Sequence, residues 1–211
     1  MSIFNSVYKS VNHKIAYFPF EWNEIDKWAN QLSMTKNRTI SYTTLSSWKV
    51  VANFQSATLY SDNTFCSLLT DGYTVSFRYT VNKNSNNRRN QFVIWTTPSW
   101  MECWITTLET NSWWATQLYY NWYSGWVWST AHSWWLHCAI VVTNHNTINV
   151  YINWSLYITH STSQGTWILG IWYAWWSWDY HNWYMSEFMV EDIARTADEI
   201  SKYYNWTKSL Y

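Results

Sequence analysis

Alternating apolar and polar positions predominate along this chain and predict an all-β fold. The clearest case is the segment 73–81, where one face of the predicted strand comprises Tyr73, Val75, Phe77, Tyr79 and Val81. Other strands are predicted at 15–18, 38–43, 49–54, 57–60, 91–94, 103–108, 116–120, 166–171 and 184–190. Many short strands at regular spacing are typical of a sandwich or jelly roll. We expect residues 1–211 to form a single domain, since all-β sandwiches of this length often do.

A hairpin lies at the centre of the pattern. Two alternating runs, 138–143 and 149–152, are joined by the polar loop 144–147, and a third strand-like run follows. The joint before the third run is Asn153-Trp154, where the favoured two-residue turn has φ > 0 at both positions and Asn-Gly is usual. Tryptophan fits that turn poorly, because a bulky residue at positive φ is an outlier.

Tryptophan recurs where turn glycines are common. The chain has 21 Trp and 4 Gly, whereas ordinary usage of about 7% glycine would give roughly 15. Tryptophan follows Asn or Ser at Trp48, Trp100, Trp113, Trp122, Trp134, Trp154, Trp178, Trp183 and Trp206. We therefore hypothesise that the source organism reads many of these codons as glycine, UGA being the candidate codon. The alternative is a tryptophan-rich adhesive surface.

The C-terminus is predicted to be helical. Thr196 and Glu199 have the spacing of a capping box, in which each side chain accepts a hydrogen bond from the other residue's backbone amide. Ile200, Tyr203 and Tyr204 then form an apolar stripe at helical spacing. We expect this stripe to dock the helix on the sandwich.

Charge and hydropathy argue against several classes of function. Thirteen basic and thirteen acidic residues give a net charge of zero, so we expect no electrostatic binding of nucleic acid or of an anionic membrane. No apolar run approaches the ~18 residues that span a bilayer, and the N-terminus lacks the apolar core of a secretory signal. We therefore expect synthesis in the cytosol without membrane insertion. Cys66, Cys103 and Cys138 are widely spaced and are interpreted as buried free thiols.

Four motifs carry a resemblance to a known family. IAYFPFEWNEIDKWAN, DGYTVSFRYTV, WLHCAIVV with INVYINWSL, and YMSEFMVEDIARTADEI follow one another as in laminin-G-like domains of the concanavalin A-like lectin/glucanase superfamily. Trp22 and Trp28 stand where the family has glycines. The resemblance implies an antiparallel jelly-roll β-sandwich with a short C-terminal helix. It also implies a carbohydrate- or cell-surface-recognition module.

The chain is similar as well to sandwich domains of bacteriophage structural and tail proteins. This resemblance implies a protein made in the host cytoplasm and carried on the virion. Its partners would be glycans or a host surface, other virion proteins and further copies of itself. The alternative within this class is a purely architectural virion protein that binds only neighbouring subunits.

A glycan-cleaving enzyme of the glucanase branch is the second alternative. Glycoside hydrolysis needs two carboxylates about 5–9.5 Å apart, and that branch carries them as Glu-x-Asp-x-x-Glu, a run that this sequence lacks. Glu187 and the pair Glu191-Asp192 are interpreted as surface carboxylates. We therefore expect a protein without catalytic residues.

Sugar binding uses aromatic faces with a few polar groups that fix hydroxyls. The candidate residues are Tyr119, Tyr120 and Tyr123 in the stretch 113–128, and Tyr173, Tyr180 and Tyr184 around the late loop 172–183. The alternative is that these tyrosines fill the core.

The laminin-G-like resemblance further implies one calcium ion at a loop edge. Asp179 and Asn182 offer the oxygen ligands that this hard cation prefers, with Asp26 and Asp62 as weaker candidates. A solvated loop aspartate is the alternative.

Overall fold

The computed structural model describes residues 14–20, 22, 34–36, 38–54, 57, 59–61, 72–81, 89–96, 101–110, 113–120, 123–128, 135–144, 147–161, 168–171 and 183–211. Its strands are β1 (Lys14–Phe18), β2 (Met34–Lys36), β3 (Ser41–Thr44), β4 (Val50–Asn53), β5 (Leu59–Ser61), β6 (Gly72–Val81), β7 (Arg89–Thr96), β8 (Met101–Thr110), β9 (Trp113–Tyr120), β10 (Tyr123–Trp128), β11 (Leu136–Thr143), β12 (Thr147–Ile152), β13 (Ser155–Ser161), β14 (Ile168–Ile171) and β15 (Trp183–Glu191). Helix α1 (Ala197–Thr207) and a 3-10 turn (Lys208–Leu210) follow them.

The strands form two antiparallel sheets. The first has the order β13-β12-β11-β6-β15-β4-β3, with β1 also paired to β15, and the second has the order β10-β9-β8-β7-β14-β5-β2. Strands distant in sequence lie side by side at β11-β6-β15, so the central pairings are non-local. This architecture confirms the predicted antiparallel jelly-roll β-sandwich with a short C-terminal helix.

The apolar face of β6 forms the centre of the core. Tyr73, Val75, Phe77 and Tyr79 have no exposed surface, and the ring of Phe77 stacks on that of Phe188 with 6.0 Å between centroids. Leu59 of the second sheet belongs to the same cluster of buried side chains. The core therefore lies between the two sheets, as the alternation in 73–81 predicts.

The opposite face of β6 is buried too. Thr74, Ser76 and Arg78 are at most 5% exposed, although alternation alone would place these polar residues in solvent. Helix α1 covers this outer face of the first sheet, and its Ile200 packs with Ala139, Val141 and Tyr151. The predicted docking of the helix through its apolar stripe is confirmed, since Ile200 and Tyr203 are buried.

Several boundaries differ from the prediction. Thr143 pairs with Thr147, so the hairpin loop is 144–146 and not 144–147. In the next turn φ is positive at Asn153 and not at Trp154, which is the φ pattern of a type II′ turn. The expectation that Trp154 takes a positive φ is wrong, because the asparagine, which tolerates this conformation, occupies the one position that needs it.

Strand predictions in the tryptophan-rich region were too short. The predicted strands 103–108 and 116–120 extend to Met101–Thr110 and Trp113–Tyr120, and a third strand at Tyr123–Trp128 was missed. These strands form a continuous meander, in which β8 pairs with β9 and β9 with β10.

Among the described residues, no helix is long and apolar enough to cross a membrane.

The capping box is present. The Thr196 hydroxyl accepts a hydrogen bond from the Glu199 amide at 3.3 Å, and the Glu199 carboxylate accepts one from the Thr196 amide at 2.9 Å. Desolvation raises the pKa of Glu199, but hydrogen bonds from Thr196 and Arg195 outweigh it and leave the pKa below its ordinary value.

Replacing Thr196 with alanine is expected to lower the free energy of unfolding by about 1 kcal/mol, because one helix amide loses its acceptor. Urea denaturation of both proteins measures this difference. Thr196→Ser keeps the oxygen and serves as the control, so an equal loss in both variants would show that the cap does not stabilise the fold.

Candidate functional site

The structure brings two of the predicted sugar-binding tyrosines to opposite register positions. Tyr120 at the end of β9 pairs with Tyr123 at the start of β10, and Tyr119 pairs with Ser124. Of the described strands, β10 is the last in the second sheet. Tyr120 and Tyr123 thus share one face at an edge of that sheet, whereas Tyr119 belongs to the opposite face.

The remaining predicted residues are distributed differently. Tyr173, Asp179, Tyr180 and Asn182 lie outside the described residues, as do Asp26 and Asp62. Tyr184 is half-buried near the start of β15, where it pairs with Asn53 of β4 and Thr80 of β6. The calcium site stays a prediction, and in the described part of the chain no group of three His, Cys, Asp or Glu side chains could hold a metal ion.

Beneath α1 lies a buried ionic cluster centred on Glu187. The register between β15 and β6 shifts between Ser186 and Met189, and Glu187 has a φ of 54°. This bulge breaks the two-residue period. Without it Glu187 would share a face with Met185 and enter the apolar core, whereas with it Phe188 fills that face. Glu187 is instead brought within reach of the helix.

Three groups surround the Glu187 carboxylate. The Lys49 ammonium lies 3.1 Å from Oε1, and the Tyr203 hydroxyl donates a hydrogen bond to Oε2 at 3.0 Å. The Arg78 guanidinium is 3.9 Å from Oε2 through Nε. Since Glu187 is 1% exposed, its interpretation as a surface carboxylate is wrong. The sequence does carry a signal of the bulge. The apolar residues at 185 and 188 are three positions apart, whereas residues on one face of a regular strand are an even number apart.

Arg78 ties the sheet to the helix. Its Nη2 donates a hydrogen bond to the Tyr204 carbonyl at 3.3 Å and another to the Thr207 hydroxyl. The guanidinium lies over the rings of Tyr211 and Tyr204, 4.8 Å and 5.4 Å from their centroids. Planar cations are well suited to such faces. The Arg78 side chain therefore holds the last turn of α1 in two ways, through its hydrogen bonds and through stacking of its guanidinium on aromatic rings.

His137 lies beside this cluster. Its ring is 1% exposed and packs 5.3 Å from the ring of Tyr203, while Nδ1 lies 3.4 Å from the Asn153 carbonyl. Burial, and then the nearby charge of Arg78, lower the pKa of His137 to about 3, against a smaller opposing effect of the Asn153 carbonyl. The imidazole is therefore neutral at physiological pH.

A second ion pair anchors the start of the helix. Arg195 contacts both carboxylate oxygens of Glu191, at 2.7 Å through Nη2 and 3.1 Å through Nε. Its backbone amide donates to the Thr74 hydroxyl of β6 at 2.9 Å. Glu191 is 1% exposed, so this carboxylate too was wrongly interpreted as a surface group.

The chemistry available to these carboxylates is limited. A glycosidase needs a carboxyl that can donate a proton and a second one that faces the sugar, both in a cleft open to substrate. Glu187 and Glu191 are each paired with cations and buried under or beside α1. Their arrangement serves to fix the helix on the sheet and does not suit proton transfer to a bound glycan.

Large apolar side chains are exposed at a few described positions. Trp48 is 87% exposed, Trp22 63%, Leu156 54% and Trp154 50%. The Trp154 ring packs 4.9 Å from that of Tyr204 at the edge of the helix. Trp22 and Trp48 lie in loops, and both have positive φ values.

No family model matches this sequence, and no curated protein matches it either. Solved structures do share the fold. One is domain 4 of AbnA, a GH43 extracellular arabinanase from Geobacillus stearothermophilus, in complex with arabinotriose. Its TM-score is 0.64 at 18% identity, over 90% of this chain and 98% of that chain.

Receptor-binding domains of botulinum neurotoxins are similar as well. The domain of the C/D mosaic serotype has a TM-score of 0.70 at 13% identity, over 93% of this chain and 52% of that chain. The serotype D ligand-binding domain, in complex with N-acetylneuraminic acid, has a TM-score of 0.69 at 11% identity, over 95% and 52%. This chain thus spans about half the length of those neurotoxin chains. At such identities the likeness shows a shared β-sandwich fold.

Proposed function

We propose that this protein is a non-enzymatic carbohydrate-recognition module of the laminin-G-like kind. The observation that carries the proposal is the shared fold with two domains captured with sugars, one with arabinotriose and one with N-acetylneuraminic acid. The match to the first covers 98% of that domain, so the whole sandwich is comparable, not a fragment of it.

The proposed sugar-binding surface is the edge of the second sheet at Tyr120 and Tyr123. Their opposite register positions place two aromatic residues on one face at the end of a hairpin. Paired aromatic residues at a sheet edge offer a flat apolar platform for the face of a sugar ring, with the phenolic hydroxyls as hydrogen-bonding partners. Glycan specificity would then depend on the residues that flank the platform.

The proposal can be tested by mutating the platform. Tyr120→Ala and Tyr123→Ala are each expected to weaken glycan binding at least about tenfold, since burying an aromatic face contributes about 1.5–3 kcal/mol. Isothermal titration with the glycan selected on an array measures the effect. Tyr120→Phe keeps the ring face and loses only the phenolic hydroxyl, so it should weaken binding clearly less than Tyr120→Ala does.

Tyr157→Ala provides a second control. Tyr157 is a half-buried tyrosine on β13, the edge strand of the first sheet, and its removal should leave binding unchanged. Loss of binding in this variant, or full binding by both platform variants, would place the site elsewhere.

The proposed setting is the surface of a bacteriophage particle, where a glycan or host-surface receptor would be the partner, beside other virion proteins and further copies of this chain. The resemblance of the sequence to phage sandwich domains supports it. Genes for other virion proteins are expected on either side of this gene. A neighbourhood of unrelated metabolic genes would contradict the virion setting without affecting sugar binding.

A glycan array on which the protein binds no glycan, together with a large apolar interface to a virion subunit, would favour the architectural alternative.

A further inference from the structure

Trp48 occupies a backbone position that suits glycine. The Trp48 amide donates a hydrogen bond to the Leu45 carbonyl at 2.9 Å, and the Leu45 amide donates one to the Lys49 carbonyl at 2.8 Å. Together with a φ of 65° at Trp48, these bonds describe the hairpin between β3 and β4 as a turn closed by one left-handed residue. Glycine is the usual residue at that position, since a Cβ atom there crowds the following carbonyl.

Trp22 shows the same conflict, with a φ of 72°. It follows β1, Pro19 and Phe20, where the chain leaves the first sheet. The Trp22 side chain is 63% exposed and that of Trp48 is 87% exposed, so burial compensates little for the backbone strain. The centroid of the Tyr42 ring lies 6.4 Å from that of the Trp22 ring.

Other non-glycine residues at positive φ have an evident reason to tolerate it. Asn144 and Asn153 belong to the residue type that enters this region most readily. Phe20 is fully buried against Phe18 and Phe54, and Glu187 is held in its bulge by the ionic cluster. Of the described non-glycine residues at positive φ, Trp22 and Trp48 are the two that are both bulky and exposed.

We infer that positions 22 and 48 carry glycine in the native protein, because the cell decodes the corresponding codons as glycine and not as tryptophan. Two independent observations agree on this: the composition of 21 Trp against 4 Gly, and the left-handed, exposed positions of these two residues. Decoding of this kind removes exposed indoles from the surface. The aromatic platform for a ligand then has to come from tyrosines.

Peptide mass spectrometry of the protein isolated from its source cell tests the inference directly. Peptides that span positions 22 and 48 are expected to be lighter by the difference between a tryptophan and a glycine residue. Tryptophan at both positions would overturn the inference. Sugar binding by the same sample is a separate readout, so failure of one proposal is distinguishable from failure of the other.

Substitutions in the recombinant chain test the physical argument. Trp48→Gly and Trp22→Gly are each expected to raise the folding equilibrium constant about fivefold or more relative to the matched variants Trp48→Ala and Trp22→Ala. Both members of a pair lose the indole, but alanine keeps the Cβ that crowds the left-handed backbone. Equal stability of the glycine and alanine variants in urea denaturation would overturn the backbone argument.

Discussion

The Glu187→Gln substitution is expected to lower the free energy of unfolding by about 3–5 kcal/mol, the usual cost of removing one partner from a buried ion pair. The amide would leave the Lys49 ammonium and the Arg78 guanidinium facing a neutral group in a site that is closed to water. Lys49 is only 11% exposed in its side chain and Arg78 only 1%, so solvent can replace little of the lost interaction. Urea denaturation monitored by circular dichroism measures the change.

Asp198→Asn is the matched control for Glu187→Gln. Asp198 also pairs with a lysine, Lys202, at 3.2 Å, but their side chains are 84% and 70% exposed. Exposed pairs on a helix contribute about 0.5 kcal/mol or less. If the two substitutions changed stability by the same small amount, the cluster under α1 would not hold the helix on the sheet.

Acidification is expected to destabilise the protein through His137. The pKa of His137 is about 3 in the folded chain and about 6.5 in an unfolded one. Between these values the unfolded state binds a proton that the folded state does not, so unfolding becomes easier as the pH falls. The stability contribution is complete above pH 6.5 and shrinks by up to about 1.4 kcal/mol per pH unit below it.

His137→Gln isolates this contribution, because all other titratable groups are the same in both proteins. Around the imidazole, Arg78 provides the facing charge, Tyr203 and Tyr204 provide the rings, and Asn153 provides a carbonyl. From pH 6.5 to 4.5 the unmodified protein is expected to lose about 2.5 kcal/mol more than the variant. Parallel stability curves for the two proteins would show that His137 titrates normally.

The parts of the fold that follow from local chemistry were predictable from the sequence. In 73–81 the apolar period of two defines a core face, and at Thr196 and Glu199 the spacing defines a helix start. Neither depends on distant residues. Burial of the polar face of β6 was not predictable in this way, because it depends on a helix more than a hundred residues away in sequence.

The ionic cluster was missed for a related reason. A strict period of two along β15 puts Glu187 on the same face as Met185, and only pairing with β6 and docking of α1 reveal the bulge that brings Glu187 to its partners. For the candidate sugar site, sequence chemistry selected aromatic residues, but the pairing of Tyr120 with Tyr123 required the register of β9 and β10. The calcium ligands Asp179 and Asn182, the tyrosines at 173 and 180, and the single domain over 1–211 stay predictions.

The most direct test of carbohydrate recognition is a crystal structure of the protein with a glycan selected on an array, or soaked with arabinotriose or N-acetylneuraminic acid. We expect a sugar ring stacked at the edge of the second sheet against Tyr120 and Tyr123. A glycan bound on the helix side of the first sheet would contradict the proposed site, and crystals in which none of these glycans binds would contradict the proposed function.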